Sequence, residues 1–375
     1  MNAIDILKER GFFNQCTDED ALRKLMDEGP VTFYVGFDPT SDSLHVGHLV
    51  QVMAMANLYR AGHVPIPVVG GGTVQVGDPS FKDETRELLT PERMEANKAK
   101  IGAQLAKFAP GTLVDNADWL TKLNYIEFIR DIGRHFSVNV MVKADSMRQR
   151  LERGQGLSFL EFNYPLLQAY DFLELYRRHG CRLQVGGGDQ WFNIISGADL
   201  IRRVEGGSAY GLTTPLLTTA SGAKMGKTVA GAVWLDAEKV SPFDYSQYWY
   251  NCDDRDVEKF LKLFTFLPLE QIEAAVKGDI RAAKRLLADE ATAIVHGRDV
   301  LVPEYAADLP ALVLDLLVAG GLAKSKGEAR RLIDNGGIAV DSEKITSYDA
   351  VMMEPGLLKA GKKRAVAIVR AAPAE

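Results

Sequence analysis

The stretch Val31-Thr-Phe-Tyr-Val-Gly-Phe37, followed by Asp38-Pro-Thr-Ser-Asp-Ser43 and His45-Val-Gly-His48, decides the fold. The first run predicts a strand, and the polar residues after it predict a turn into a helix that begins near His45. Backbone N–H groups at a helix N-terminus attract anions, of which phosphate is the natural one. The sequence therefore predicts a strand, a turn and a helix that together bind phosphate.

Strand-like and helix-like stretches alternate over residues 31–219. This alternation predicts an α/β fold, a doubly wound parallel sheet of the Rossmann-like kind, with ligands at the carboxyl ends of the strands. The predicted strands cover residues 31–37, 64–69 and 181–185. Amphipathic helices over 91–108 and 158–178 predict a helical insertion between two half-sheets.

The C-terminal half is predicted to be mainly helical at first and mixed at the end. Predicted helices cover 242–251, 256–264 and 280–296, and a stretch with two prolines at 298–310 is predicted to be a linker. Two helices (311–319, 325–335), a Gly-Gly turn and two strands (338–341, 365–370) are predicted to follow. The predicted domains are a Rossmann-like domain at 1–220, a small helical domain at 221–305 and an α+β domain at 311–375.

Composition narrows the class of protein. The chain has 375 residues, 46% of them hydrophobic and 25% charged, which is ordinary for globular proteins. It contains no apolar run long enough for a signal peptide or a membrane helix, so a cytoplasmic location without membrane contact is expected. Cys16, Cys181 and Cys252 form no CxxC pair and support neither a disulfide framework nor a zinc site. A net charge of −6 restricts any RNA contact to a local surface.

A second motif, Lys224-Met-Gly-Lys-Thr228, places two lysines three residues apart beside a glycine. Such a loop can close over a triphosphate, and with the first motif it indicates an enzyme that activates a carboxylate with ATP. His45 and His48 lie on the same side of a helical turn, where both rings can reach a bound phosphate. The alternatives are two capping or core histidines, or half of a metal site. Because no third ligand of zinc spacing lies nearby, phosphate contact is favoured.

The two motifs resemble the signatures of class I aminoacyl-tRNA synthetases, with HVGH in place of HIGH and KMGKT in place of KMSKS. The second variant resembles that of bacterial-type tyrosyl-tRNA synthetases, and the likeness spans essentially the whole chain. It implies a tyrosine–tRNA ligase that forms tyrosyl-adenylate from L-tyrosine and ATP and then esterifies the 3′ end of tRNA(Tyr). It further implies Mg²⁺ with ATP, no structural metal, and a homodimer in which one tRNA crosses both subunits.

The same resemblance implies roles for individual residues. Catalytic roles fall on Thr40, His45, His48, Lys82, Arg86, Lys224 and Lys227. Nucleotide contacts fall on Gly36, Asp38, Gly47, Asp189, Met225 and Lys227. The tyrosine pocket comprises Tyr34, Asp78, Tyr164, Gln168, Asp171, Gln184 and Gln190.

The resemblance assigns specific contacts to three groups of these residues. The turn Gly186-Gly-Gly-Asp-Gln190 resembles a GGxDQ motif in which the aspartate accepts from ribose hydroxyls. Asp171 and Tyr34 would bind the phenolic hydroxyl of tyrosine. Asp78, Tyr164 and Gln168 would hold its ammonium group, and the spacing of residues 164, 168 and 171 places them on one helical face.

The segment 322–340 resembles an S4 RNA-binding domain, and this likeness covers roughly the last 60 residues. Lys324, Lys326, Arg330 and Arg331 cluster on one predicted helix and its approach. Basic side chains in that arrangement suit phosphate contacts that position RNA without reading its bases.

Three other functions remain open at this level. A tryptophanyl enzyme shares the fold and motifs but lacks the S4-like tail and the Asp171 hydroxyl partner. A small HxGH nucleotidyltransferase needs neither this lysine loop nor an RNA-binding domain. An RNA-binding paralogue without catalysis is a different class, and the intact motif residues speak against it. Gln51 near the ATP site and Phe81 in the cationic loop depart from a uniform family pattern.

Overall fold

A computed structural model describes the chain except for residues 1, 79–88, 155, 221, 223–224, 229–230, 301–302, 342, 362–363 and 372–375. The chain divides into two compact units, Met1–His296 and Gly297–Glu375. The division into three domains stays a prediction.

A six-stranded sheet forms the centre of the first unit, with the order β1-β6-β5-β2-β3-β4. All neighbouring strands in it are parallel except the edge pair β1–β6. The predicted doubly wound α/β class is therefore confirmed. The strands are β1 (Gln15–Cys16), β2 (Thr32–Phe37), β3 (Val64–Val69), β4 (Val114–Asp115), β5 (Leu183–Gly187) and β6 (Tyr210–Thr214).

The order of these strands reverses between β2 and β5. From β2 the chain runs outward through β3 to β4, then returns to β5 on the other side of β2 and continues to β6. The carboxyl ends of β2 and β5 therefore lie side by side at a topological switch point. Open α/β sheets bind their ligands in the crevice at such a point.

Helices cover the sheet and continue beyond it. They are α1 (Ala3–Arg10), α2 (Glu19–Glu28), α3 (Leu49–Arg60), α4 (Pro91–Ala106), α5 (Ala117–Leu120), α6 (Tyr125–Asp131), α7 (Val138–Met141), α8 (Asp145–Glu152), α9 (Phe159–Phe162), α10 (Tyr164–His179), α11 (Trp191–Glu205), α12 (Pro242–Tyr250), α13 (Val257–Phe264), α14 (Leu269–Lys277) and α15 (Ile280–His296). A short hairpin, β7 (Lys227–Thr228) and β8 (Gly231–Ala232), lies between β6 and α12.

The single helix predicted over 158–178 is two helices. Ser158 opens α9 with a capping box, and α10 starts afresh with Pro165 in its first turn. Proline lacks an N–H group and is tolerated in the first turn of a helix but not in its interior. The chain therefore breaks at Asn163.

Alternate residues of β2 point into two different cores. Phe33 belongs to the same buried cluster as the residues of α3 and as Trp249 and Phe260 of the helical region. Tyr34 packs on the opposite face with Phe172 of α10. This alternation follows from the two-residue period of a strand. The helices α12–α15 thus share a core with the sheet.

The second unit contains a five-stranded sheet of order β12-β11-β14-β15-β9 and two helices. Its elements are β9 (Glu304–Ala307), β10 (Ala311–Leu312), α16 (Val313–Ala319), α17 (Lys326–Asp334), β11 (Ile338–Val340), β12 (Glu343–Lys344), β13 (Val351–Met352), β14 (Gly356–Ala360) and β15 (Arg364–Arg370). Strands β10 and β13 form a separate antiparallel pair.

The predicted linker at 298–310 is wrong over residues 304–307. These residues form β9, which pairs in parallel with β15 at the edge of the sheet. The four residues of β9 are too few to show a strand period, so the prolines on either side, Pro303 and Pro310, determined the linker prediction. Among the described residues, no helix is long and apolar enough to cross a membrane.

Candidate functional site: a crevice at the switch point of the sheet

The two histidines of the first motif close a tight turn. Val46–His48 form a 3₁₀ turn that leads into α3. The His45 Nδ1 atom accepts from the Gly47 N–H at 3.0 Å, and the His48 Nδ1 atom accepts from the His45 N–H at 3.2 Å. A neutral ring that accepts at Nδ1 carries its proton on Nε2. The histidines therefore cap the turn through one nitrogen and present an Nε2–H donor with the other.

Backbone hydrogen bonds hold this turn against the segment that follows the lysine loop. Val46 N–H donates to Val233 O at 2.9 Å, and Val233 N–H donates to Gly226 O at 3.0 Å. Gly226 has φ +90°, and a Cβ atom there would lie 2.6 Å from the Gly47 nitrogen. The glycine of KMGKT is thus required by both its backbone conformation and its neighbour. Lys224 lies outside the described residues, and only the backbone of Lys227 is described, in β7.

An open space lies beside the carboxyl end of β2. Gly36 is exposed although it sits in the middle of the sheet, and no described atom comes within 4 Å of the position of a Cβ on it. Asp38 follows and lies against Gly70, where a Cβ atom would be 2.5 Å from the Asp38 carboxylate. Thr40 is exposed at the same edge. The cations predicted at positions 82 and 86, Lys82 and Arg86, lie outside the described residues.

The Gly-rich turn after β5 faces the same crevice. Gly188–Gln190 form a 3₁₀ turn, and the Asp189 carboxylate lies directly against Gly187. The side chain of Gln51, on α3, lies close to Gly187 and donates to Thr214 at 3.3 Å. The turn, α3 and β6 therefore meet around Asp189.

Several predicted pocket residues form one hydrogen-bonded chain. Gln190 Nε2 donates to Asp78 Oδ2 at 2.7 Å. Asn193 Nδ2 donates to Gln190 Oε1 at 3.1 Å and to Gln168 Oε1 at 3.2 Å. Asn193 was missed from the sequence, although its position three residues after Gln190 places it on the same helical side.

Asp171 is the most buried carboxylate of the pocket, with 4% of its surface exposed. Its Oδ1 atom accepts from Trp119 Nε1 at 2.7 Å, and its Oδ2 atom accepts from Asn116 Nδ2 at 2.9 Å. Burial raises the pKa of Asp171 to about 7, against the opposite effect of these two donors. The charges of Asp38 and Asp115 raise it further.

Tyr34 and Gln184 are register partners on β2 and β5, so they lie side by side on one face of the sheet. The Tyr34 hydroxyl and Gln184 Oε1 are buried, and neither has a hydrogen-bond partner among the described residues. Burial and the nearby Asp171 raise the pKa of Tyr34 well above its usual value. Unpaired buried polar atoms are costly, and a polar ligand bound at this face would offset that cost. Tyr164 is buried at the start of the same helix as Asp171.

The two residues that donate to the Asp171 carboxylate, Asn116 and Trp119, were not predicted from the sequence. Asn116 and Trp119 follow β4, a strand of two residues. The glycines after β3 fix this segment, because Gly72 N–H donates to Asn116 Oδ1 at 2.8 Å and Asn116 also donates to Thr73 at 3.0 Å. The run Gly70-Gly-Gly-Thr73, which directly follows a correctly predicted strand, could have indicated a binding edge here, but it does not identify Asn116 or Trp119.

The four predicted RNA-contacting residues lie on α17 or just before it, and all are exposed. Lys326 pairs with Asp315 at 2.6 Å, and the Arg330 guanidinium lies 5.7 Å from the ring centre of Tyr348. Within the described part of the chain, no group of three His, Cys, Asp or Glu side chains could hold a metal ion.

The sequence and the fold match known proteins. A family model described as tRNA synthetases class I (W and Y) matches residues 26–303, and one described as a tyrosine–tRNA ligase SYY-like C-terminal domain matches residues 298–364. The chain belongs to the class I tRNA synthetases of this tryptophan and tyrosine group.

Comparison with individual relatives distinguishes between the tryptophan and tyrosine members of this group. The tyrosine–tRNA ligase of Desulfosudis oleivorans is 50% identical over 98% of this chain and 99% of its own length. The tyrosine–tRNA ligase of Clostridium tetani is 49% identical over 94% of this chain and 94% of its own length. A C-terminally truncated mitochondrial tyrosyl-tRNA synthetase of Aspergillus nidulans superposes with a TM-score of 0.72 at 32% identity, over 80% of this chain and 91% of that one. Within the group, the chain is a member of the tyrosyl-tRNA synthetase family.

The buried carboxylate predicts a pH dependence of stability. The pKa of Asp171 is raised in the folded state, so the folded protein retains a proton that the unfolded chain releases between about pH 4 and 7. The contribution of Asp171 to the free energy of unfolding therefore falls as the pH rises from about 4 to 7, and it stays constant at higher pH. In urea unfolding at pH 5 and pH 7, Asp171→Asn should gain about 2 kcal/mol relative to the wild type at the higher pH. Parallel stability curves for the two proteins would contradict this.

Proposed function

We propose that this chain is a tyrosine–tRNA ligase that activates L-tyrosine with ATP and transfers it to tRNA(Tyr). The arrangement around Asp171 is the observation that supports tyrosine as the amino acid. Both carboxylate oxygens already accept N–H bonds, and the adjacent Tyr34 hydroxyl lacks a partner among the described residues. A phenolic hydroxyl donates to Asp171 and accepts from Tyr34, which satisfies both groups.

The other end of the substrate fits the polar chain across the pocket. We assign the ammonium group of tyrosine to Asp78, Tyr164 and Gln168, since Asp78 and Gln168 are already linked through Gln190 and Asn193. Gln184 completes the polar lining between this group and the hydroxyl. The carboxylate then points toward the open space beside Gly36.

The first step needs positioning and charge stabilisation, with no general base. The ionised carboxylate of tyrosine attacks the α-phosphorus of ATP, a new P–O bond forms, and the bond to the β-phosphate breaks as pyrophosphate leaves. The Nε2–H groups of His45 and His48 are assigned to the phosphate oxygens, where negative charge develops. Mg²⁺ enters with ATP as part of the substrate.

The remaining nucleotide contacts follow from the same crevice. Asp189 is assigned to the ribose hydroxyls, and the glycines let the nucleotide approach the backbone. Further contacts are proposed for Gly36, Asp38, Gly47 and Met225, and contacts to the leaving pyrophosphate for Thr40, Lys82, Arg86, Lys224 and Lys227.

In the second step the terminal ribose hydroxyl of tRNA attacks the adenylate carbonyl and AMP leaves. We propose that Lys324, Lys326, Arg330 and Arg331 contact phosphates of this tRNA, because all four are exposed on one helix and its approach. The same proposal places the enzyme in the cytoplasm.

We also propose that two copies associate through the surface between α6 and α9. Of the sixteen large hydrophobic side chains found exposed among the described residues, eight lie between Tyr125 and Leu160. Next to them, a cavity of about 270 Å³ opens between residues 135–141 and α11, lined in part by Phe136, Val140 and Phe192. Protruding and recessed apolar features on one surface suit a twofold, self-complementary interface.

Amino-acid-dependent exchange of labelled pyrophosphate into ATP tests the activation step. Exchange should occur with tyrosine and not with tryptophan or phenylalanine, because only tyrosine supplies a hydroxyl for Asp171. Dependence on tryptophan would replace the assignment with the tryptophanyl enzyme. Absence of exchange with all three would leave the catalytically silent RNA-binding paralogue.

The hydroxyl contact is tested by Asp171→Ala. This change should reduce the preference for tyrosine over phenylalanine by about 100-fold or more in kcat/KM for exchange, since a lost hydrogen bond to a buried charged group is worth about 1.5–3 kcal/mol and rejection of the analogue lacking the hydroxyl is larger still. Glu174→Gln is the matched control, because Glu174 is also buried on α10 but pairs with Arg177 and Arg178. Unchanged discrimination in the first variant removes Asp171 from the hydroxyl pocket.

The dimer is tested by placing a charge in the proposed interface. Ile126→Asp should convert a dimer to a monomer in sedimentation velocity at micromolar concentration, because a desolvated unpaired charge is costly. Leu312→Asp is the control, since Leu312 is exposed in the other compact unit. A wild-type monomer, or equal dissociation by both variants, would contradict the interface.

A further inference from the structure

The lysine loop is tied to the helical region by a buried carboxylate. Asp256 lies at the start of α13 with only 2% of its surface exposed. Its Oδ2 atom accepts from the backbone N–H of Ala220 at 2.8 Å. Ala220 belongs to the segment that leads into the lysine loop, so the helical region directly holds that segment.

Lys259 makes a second attachment from the next turn of α13. Its ammonium group lies 2.6 Å from Asp256 Oδ1 and donates to the backbone carbonyl of Thr218 at 2.9 Å. The Asp256–Lys259 ion pair thus binds two backbone groups of the segment, the N–H of Ala220 and the carbonyl of Thr218. Such a paired contact fixes both the position and the orientation of the segment.

Asp256 does not cap its helix. The turn that leads into α13 is capped by Asp253, whose side chain accepts from the Arg255 N–H at 3.0 Å. Asp256 follows in helical conformation, and its buried side chain bonds to the loop segment and to Lys259 instead. The side chain of Asp256 therefore holds the loop segment, while Asp253 caps the helical stretch.

The fixed segment is connected to the part of the loop that meets the histidine turn. Met225 N–H donates to Leu217 O at 3.4 Å, and Met225 itself is buried in the main core. Gly226, the next residue, packs on Gly47. Residues 218–220 are thereby connected, through the adjacent Leu217 and its bond to Met225, to the turn that holds His45 and His48.

We propose that Asp256 and Lys259 are positioning residues that set the lysine loop for adenylate formation. This inference rests on the proposed function, because the loop supplies cations to ATP in that reaction. Among the described residues, the hydrogen bonds and the ion pair of Asp256 and Lys259 go to Ala220, to Thr218 and to each other, and not to the tyrosine pocket. Their loss should therefore affect the chemical step and leave tyrosine binding intact.

The test uses the full-length protein with four variants: Asp256→Asn, Lys259→Gln, Lys259→Arg and Glu258→Gln. Glu258→Gln is the matched control, because it breaks the Glu258–Lys262 ion pair on the same helix, with a distance of 2.6 Å. Tyrosine binding is measured by equilibrium dialysis without ATP, and adenylate formation by rapid quench under single-turnover conditions.

Asp256→Asn should slow adenylate formation by about 10- to 100-fold, the scale of a misplaced reacting group, while the tyrosine Kd changes less than about twofold. Lys259→Gln should act in the same direction, and Lys259→Arg should recover most of the rate because it restores the ion pair. Glu258→Gln should leave both quantities unchanged.

Three outcomes would overturn the inference: an unchanged rate in both Asp256→Asn and Lys259→Gln, an equal loss of tyrosine affinity and rate, or an equal slowing by Glu258→Gln. If Asp256→Asn does not fold, the two Lys259 variants decide, since that side chain is 40% exposed. Lack of tyrosine-dependent activation in the wild type is a separate result that refutes the proposed function itself.

Discussion

The reversal of strand order between β2 and β5 is the constraint on which the rest of the structure depends. Because both strands end at the same edge, the turn after Phe37 and the turn after Val185 face one crevice. The parallel pairing also places Tyr34 beside Gln184 on one face of the sheet. The turns proposed to bind the nucleotide and the side chains proposed to bind the amino acid are therefore neighbours in space, although about 150 residues separate β2 from β5 in sequence.

The pocket contains buried polar groups that lower the free energy of unfolding. A carboxylate as buried as Asp171 is tolerated because Trp119 and Asn116 each donate to it, and Asn116 in turn accepts from the Gly72 N–H. The unpaired hydroxyl of Tyr34 has no equivalent support among the described residues. Sites that bind polar substrates commonly retain such groups at the expense of folding free energy.

Sequence reasoning recovered the parts of the fold that local pattern determines. The strands β2 and β3, the helix α15 and the sheet class follow from apolar runs and their spacing. The two-residue strands β1 and β4 and the four-residue β9 are too short to show any period, and they form because a neighbouring strand offers a ladder.

The same limit applies to the site. Motif positions identified the residues that were predicted to meet the substrates, and the structure brings Asp78, Gln168 and Gln190 into one chain. The residues that support the pocket could not be predicted from the sequence. Trp119 donates to Asp171 across 52 positions, and no local pattern in either segment indicates that the two side chains meet. The bond from Ala220 to Asp256 spans 36 positions and was equally invisible.

The contact between Gly47 and Gly226 has a consequence for how this enzyme can change. A side chain at position 226 would meet the backbone nitrogen of Gly47, and a side chain at 47 would meet the His45 ring. Position 226 therefore has to remain glycine whatever residue stands at position 47, although 179 positions separate the two in the chain. A mutant library that searches for altered nucleotide use gains nothing by varying position 226 together with position 47, because no side chain at 47 removes the backbone nitrogen in the way.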